Sequence, residues 1–335
     1  MDGTAGGDPA LRRGRLPGTM AAASVKRVTM VHGTTRAGGG VVRYQVTDNV
    51  RAHGPEGPGT PPVWAINVHG FFAGGGMYAR ESRNLAQVLG WRVLNPHLPA
   101  FGGSDPLPSH RVTPHGYAEA ITSVMDDLGI EHAVLLGHSM GGAFAVAVAD
   151  EFPDRTLGVV YRDGVATTAW RTARHGVPGW LLHAFSGRRA DLADMGMAVL
   201  WDLPDLVIGR NAAWVAREFW PDARSNLRHI LGCVPVARML LDLDLHDAVR
   251  RVAHEHRIPV LSMWGVLDRI TPAVTATEFS TATGTDVVWV VGGHSWMLVD
   301  PDAQAAVMAR DPRGLDFVDA VLARRLAQGG MRTPV

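Results

Sequence analysis

The sequence predicts an α/β architecture, a mostly parallel, doubly wound sheet of about eight strands with a helical insertion. Three observations predict it. Short apolar runs rich in Val, Ile and Leu alternate with helical patterns along most of the chain. One of those runs, Ala133-Val134-Leu135-Leu136, passes directly into Gly137-His138-Ser139-Met140-Gly141 and then into a small-residue helical pattern from Ala143 to Ala149. Between about 166 and 256 the alternation stops, and no strand pattern replaces it. Regular βα alternation buries a parallel sheet on both faces, so a long strandless stretch is an insertion rather than part of the sheet.

Taken in order, residues 1–24 are rich in Gly, Ala, Arg and Pro without periodicity, and are expected to form a flexible tail. Arg12-Arg13 is not followed by the apolar stretch of an export signal, because Pro17 and Gly18 interrupt at once, and Met20 is an alternative start. Strands near 27–31 and 41–46 flank Gly38-Gly39-Gly40, a hairpin signal. The Gly- and Pro-rich stretch 54–62 reads as an exposed linker. Strands are then expected near 64–68, 91–95, 132–137, 157–162, 259–265 and 286–291, with helices near 77–90, 115–129, 140–152, 273–282 and 312–327. The core thus comprises 25–165 and 257–330, and the insertion 166–256 is a helical cap.

The Gly-x-Ser-x-Gly segment predicts a nucleophile elbow. A serine hydroxyl that is to attack a carbonyl must be thrust out of a tight strand-to-helix turn, and side chains at Gly137 and Gly141 would collide with the neighbouring strand and helix. The helix that follows points free N–H groups at the charge developing in the reaction. Such a serine needs a base, and the base needs an orienting acid. Among 15 histidines, His294 is singled out by its place in Gly292-Gly293-His294-Ser295-Trp296, directly after the strand Val288–Val291. Asp268 follows the preceding strand, Val260–Gly265, in the same way. Asp163, after Val159-Val160-Tyr161-Arg162, is the alternative acid. Each aspartate also has a plain structural role open to it. Asp268 fits a helix start with Thr271 and Pro272, and Asp163-Gly164 is a common turn pair.

The chain order Ser139, Asp268, His294 resembles that of the α/β-hydrolase superfamily, in its capped, serine-nucleophile, esterase- or lipase-like form. The resemblance covers about residues 40 to 328 and rests on the His69-Gly70-Phe71-Phe72 turn, the elbow at Ser139, the Asp268 loop and the His294 loop. It implies that the backbone N–H groups of Phe71 and Met140 form the oxyanion hole. It also implies a cap that roofs the nucleophile, with His69, Phe72, Trp296, Met197 and Trp201 as pocket candidates. The stretch Pro99-Ala100-Phe101-Gly102-Gly103-Ser104 resembles a Pro-Gly-x-Gly-x-Ser loop of the family but departs from it at Ala100, which leaves its fine geometry open.

Other chemistries fit less well. Thirty-two basic residues balance 32 acidic ones, so no global field favours nucleic acid or an anionic membrane. The single cysteine, Cys233, excludes an intrachain disulfide framework and reads as a small apolar residue of a cap helix. His254-Glu255-His256 lacks metalloprotease spacing, and Gly74-Gly75-Gly76 lacks the Lys-Ser/Thr of a phosphate loop. No metal and no cofactor are expected. No segment has the run of apolar residues of a membrane span, and a soluble, cytoplasmic protein is expected. The expected activity is cleavage of a carboxylic ester of a small, largely apolar substrate. A thioesterase, lactonase, cofactor-free haloperoxidase or C–C bond hydrolase on the same triad is the alternative, and a receptor-like ligand binder with little turnover is the alternative of another class. Oligomeric state is left open.

Overall fold

The computed structural model describes residues 28–48, 62–173 and 212–329. The tail expected at 1–24, most of the linker at 54–62, and the cap candidates Met197 and Trp201 lie outside the described residues. One sheet carries all eight strands: β1 (Thr29–Ala37), β2 (Gly40–Asp48), β3 (Trp64–Val68), β4 (Arg92–Pro96), β5 (Ala133–His138), β6 (Thr156–Arg162), β7 (Val260–Gly265) and β8 (Val287–Val290), in the order β1-β2-β4-β3-β5-β6-β7-β8. From β4 to β8 every neighbouring pair is parallel, and the β1–β2 hairpin joins antiparallel on β4. Gly38 and Gly39 take φ of 63° and 90°, the two left-handed positions of a tight turn whose twist matches the flanking strands. That turn sets the pairing Ala37↔Gly40, which continues to Thr29↔Asp48. β1 therefore runs past His32-Gly33, where the sequence pattern ends it. Cross-strand pairing overrides the local break.

The helices are α1 (Ala79–Leu89), α2 (Pro114–Asp127), α3 (Met140–Glu151), α4 (Thr168–Ala173), α5 (Ala212–Arg228), α6 (Ile230–Leu241), α7 (His246–Arg250), α8 (Ala273–Thr283), α9 (Trp296–Val299), α10 (Ala303–Arg310) and α11 (Pro312–Gly329). α2 starts where Thr113 accepts the N–H of Gly116 and a proline occupies the first turn. α10 was not expected, although its Ala-rich run between Asp302 and Pro312 is a helix signal. Alternate residues along each strand face opposite sides. Leu135, Val159 and Tyr161 pack against α2, α3 and α8, while Val134, Leu136 and Val160 pack against α1, α10 and α11. α4 to α7 lie between β6 and β7, and among the described residues that stretch holds no strand. Cys233 is buried in α6. Among the described residues no helix is long and apolar enough to cross a membrane.

One charge lies in the core, where the sequence alone shows no partner for it. Arg162 is wholly buried at the end of β6 and donates from Nη1 to both oxygens of Glu81 at 2.8 Å and to Gln304 Oε1 at 2.8 Å. Its Nη2 donates to Asn67 Oδ1 at 2.7 Å and to the Leu136 carbonyl at 2.8 Å. Removing one partner of such a pair strands the other in a low-dielectric interior. Arg162→Met should therefore lower unfolding stability by about 3–5 kcal/mol. The double change Arg162→Met with Glu81→Gln should recover part of that loss in urea melts. A double variant no more stable than the single would place the cost in packing rather than charge.

Candidate active site

The C-terminal ends of β3, β5, β6, β7 and β8 bring the predicted groups to one edge of the sheet. β5 is buried at every position and delivers Ser139, which has φ 53° and ψ −120°, into the first turn of α3. This backbone conformation is sparsely populated for a residue with a Cβ and is the strained turn an exposed nucleophile requires. Its supports are steric and polar. A Cβ at Gly141 would come within 1.9 Å of the Val68 carbonyl oxygen, and one at Gly137 within 2.6 Å of the Gly141 carbonyl oxygen. The Ser139 N–H donates to the Arg162 carbonyl at 3.0 Å, tying the elbow to β6.

His294 stands between β8 and α9, and its Nδ1 lies 2.8 Å from Asp268 Oδ2. Asp268 accepts the N–H groups of Ile270 and Thr271 on Oδ1, at 2.8 and 2.9 Å, and the Thr271 hydroxyl on Oδ2. The turn-forming role open to this residue and its role as partner of His294 are thus one arrangement, since the turn bonds hold the carboxylate in line with the ring. Burial works to raise the Asp268 carboxyl, but the charge of His294 and the bonds from His294 and Thr271 outweigh it and hold it below the usual value. With Asp268 as acceptor, Nδ1 carries the proton and Nε2 is left with the lone pair that a serine proton needs.

Asp163, with φ 45°, is wholly buried beside Asp268, and its oxygens are taken up by other donors. Its Oδ1 accepts the Gly265 N–H at 2.8 Å and its Oδ2 the Trp296 indole N–H at 2.6 Å. Burial, reinforced by the charge of Asp268, raises its carboxyl well above the usual value. Two carboxylates in one low-dielectric site do not both ionise easily, and the opposite shifts favour the charge on Asp268 over Asp163. Asp163, Asp268 and His294 each bring one ligand-type atom within 4.8 Å of the others. Within this trio the two carboxylates accept backbone, hydroxyl and indole donors, and His294 Nδ1 donates to Asp268.

The turn after β3 carries the other expected groups. Phe71 and Phe72 are half-buried, and Phe72 has φ 61°. Gly70 lies against Ser139, since a Cβ there would come 3.2 Å from the Ser139 Cβ. Among the described residues, the N–H groups of Phe71 and Met140 are taken up by no backbone carbonyl outside their own elements. Two of the expected pocket residues are placed differently. His69 is wholly buried, with Nδ1 2.8 Å from the Gly70 carbonyl and Nε2 accepting the Leu98 N–H at 2.9 Å. Burial pushes this ring down to about 3, so it is a neutral tie between the β3 and β4 loops. Trp296 is wholly buried on the Asp163 carboxyl rather than at a pocket wall. Both corrections have one cause: position beside a candidate catalytic residue in sequence does not set which way a side chain points. In the β4 loop, Ala100 has φ 75°, the left-handed backbone that a glycine at that position accommodates without strain.

His138, the variable position of the Gly-x-Ser-x-Gly segment, is buried at the centre of the site. Its Nε2 donates to the His294 carbonyl at 2.9 Å, and its Nδ1 accepts the Tyr78 hydroxyl at 2.7 Å. The Gly70 N–H donates to that same hydroxyl at 3.3 Å. Burial, then the charge of His294, keeps the His138 ring well below the usual histidine range, so it serves as a neutral bridge between the His294 loop and the β3 turn. A polar residue inside an otherwise apolar strand end was the available signal.

A family model described as alpha/beta hydrolase fold matches residues 65–301. A protein of Mycobacterium phage D29, named for non-heme haloperoxidase activity, is 26% identical over 263 residues, covering 76% of this chain and 87% of that protein. The 2-hydroxy-6-oxo-6-phenylhexa-2,4-dienoate hydrolase of Burkholderia cepacia is 38% identical over 97 residues, covering 28% of this chain and 34% of the hydrolase. Among solved structures, the enol-lactonase from Burkholderia xenovorans LB400 superposes with a TM-score of 0.63 at 20% identity, covering 86% of this chain and all of that one. A thermophilic esterase from Thermogutta terrifontis superposes with a TM-score of 0.60 at 20% identity, over 88% of this chain and 99% of the esterase. With the elbow, the strand order and a family match across most of the sheet and the insertion, the chain belongs to the α/β-hydrolase family.

Proposed function

We propose that the chain is a serine hydrolase that cleaves a carboxylic ester, or a related acyl bond, of a small, largely apolar substrate. The observation that carries this reading is the 2.8 Å Asp268–His294 contact at the sheet edge where Ser139 occupies a strained elbow. In the proposed cycle His294 Nε2 takes the Ser139 proton as Oγ attacks the substrate carbonyl. The N–H groups of Phe71 and Met140 stabilise the oxyanion, and His294 returns the proton to the leaving alcohol. Water, activated by the same ring, then releases the acid. Asp268 stabilises the imidazolium that forms in each half-reaction.

The local similarity to 2-hydroxy-6-oxodienoate hydrolases favours a second reading, hydrolysis of a substrate of that kind on the same residues. Fluorophosphonate labelling of Ser139, followed by an ester chain-length series and a 2-hydroxy-6-oxodienoate, separates the two. Fast ester turnover without dienoate turnover supports the first. Labelling with no turnover on either panel, together with saturable ligand-induced thermal stabilisation, points to a binder.

Phe72, Met197 and Trp201 are the proposed pocket residues, the last two from sequence alone. Trp201→Ala should shift chain-length preference more than it changes rate on the shortest ester. Equal effects at every chain length would count against a specificity role for that position.

A further inference from the structure

We infer that Asn226, on the inserted helix α5, is a positioning residue that holds the oxyanion turn in its working conformation. The inference deepens the proposed function, because it takes the Phe71 N–H as an oxyanion donor. Asn226 is 1% exposed, and its amide is fully used. Nδ2 donates one hydrogen to the Phe72 carbonyl at 2.8 Å and the other to the Ala73 carbonyl at 3.0 Å. Oδ1 accepts the Gly102 N–H at 2.8 Å.

The turn needs such a clamp. Phe72 has φ 61°, a left-handed backbone that a bulky side chain rarely adopts and that persists only when its surroundings over-determine it. Within the turn itself, the Ala73 N–H to Gly70 carbonyl bond, at 3.2 Å, is the backbone closure. If Phe72 relaxed from this backbone conformation, the chain from Gly70 to Phe72 would reorient, and the Phe71 N–H, which lies on the peptide shared with Gly70, would leave the side of Ser139 to which Gly70 is pressed. The chemistry of the clamp is specific. Two carbonyls and one N–H demand a side chain with two donors and one acceptor on a single planar group, which an amide supplies and a carboxylate or hydroxyl does not.

The placement also links the turn to the insertion. One helical turn before Asn226, Asp222 presses on the next residues of the same loop, and a Cβ at Gly74 would come 2.4 Å from its Cγ. Asp222 Oδ1 also lies 3.5 Å from His97 Nδ1, in the β4 loop that contains Gly102. Helix α5 thus grips two core loops through polar side chains four residues apart, on one face of the helix. A shift of α5 would carry the oxyanion turn with it, so seating of the insertion and assembly of the oxyanion hole are one event.

The test is Asn226→Asp, which keeps the shape and the Gly102 acceptor but removes both donors. Two readings are taken on folded protein. Amide hydrogen exchange should rise at residues 71–77 and not in β5 or β8. The second-order rate of Ser139 phosphonylation by a fluorophosphonate, whose phosphoryl oxygen occupies the oxyanion hole, should fall about 10–100-fold, with kcat for a short ester falling in parallel and KM changing little. Asn226→Ser, which deletes the clamp without adding charge, carries the same readings if the aspartate variant folds poorly. Parent-like phosphonylation in a folded variant overturns the inference, whether or not exchange rises. A parent enzyme that is not labelled at all overturns the serine-hydrolase reading instead, and the inference with it.

Discussion

Ser139→Ala should lower turnover by roughly 10³-fold or more while leaving the circular dichroism spectrum and thermal midpoint close to the parent's, because in the proposed cycle the group that forms the acyl bond is gone and neither His294 nor Asp268 can replace it. The fold should persist, since the elbow is held by the glycines on either side and by the Ser139 N–H on the Arg162 carbonyl, none of which involves the hydroxyl. The serine lies at φ 53°, and alanine meets the same backbone strain as the residue it replaces. A variant within about tenfold of the parent on its best ester would remove Ser139 from the chemistry, because loss of a true nucleophile costs far more. The residual rate from the oxyanion hole and substrate binding alone is expected to stay well above the uncatalysed reaction.

Asp268→Asn should depress turnover by about 10³–10⁴-fold, with ligand binding retained. An amide opposite Nδ1 either presents its NH2 to the ring, which forces the wrong tautomer, or presents its oxygen without the charge that stabilises the imidazolium. Because the parent carboxyl is held below its usual value, it is ionised across the neutral range, and the loss should be similar at every pH there. Asp163→Asn provides the contrast. Burial and the charge of Asp268 raise its parent carboxyl well above the usual value, which disfavours its charge, so a neutral amide changes less electrostatically here than at Asp268. The cost is structural: the Gly265 and Trp296 N–H groups both point at residue 163, and an amide has one oxygen for two donors. Stability should fall by about 1–3 kcal/mol, the penalty of a buried donor left opposed, with a much smaller loss of turnover than at Asp268. The reverse ranking at equal folded fraction would move the acid to Asp163.

The fold was legible wherever the signal was local. Strand and helix order came from hydrophobic period, and the elbow from two glycines whose missing side chains are required by atoms within a few residues or on the adjacent strand. Strand ends were less legible. β1 continues past His32-Gly33 because β2 offers partners there, which no window along the chain contains. The site divides in the same way. Ser139, Asp268 and His294 each follow a strand, and that was readable. Which aspartate faces the ring was not, because Asp163 and Asp268 have the same sequence context and differ only in what their oxygens meet across three loops.

His69, Trp296, His138 and Asn226 mark that limit most clearly. The first two stand next to candidate catalytic positions in sequence, yet they turn inward to satisfy a loop N–H and a buried carboxyl. Of the last two, His138 offered only its polarity at an apolar strand end and Asn226 no signal, yet they join loops 156 residues apart in one case and between 124 and 154 apart in the other. By itself the sequence determined the class of fold, the elbow and the set of groups that reach the sheet edge. Steric exclusion and hydrophobic period act between residues close along the chain or across one strand pair. Only the tertiary structure decided which buried donor meets which acceptor, because that depends on the convergence of loops from separate strands and on an inserted helix, and a buried polar group takes whichever partner that convergence brings within hydrogen-bonding distance.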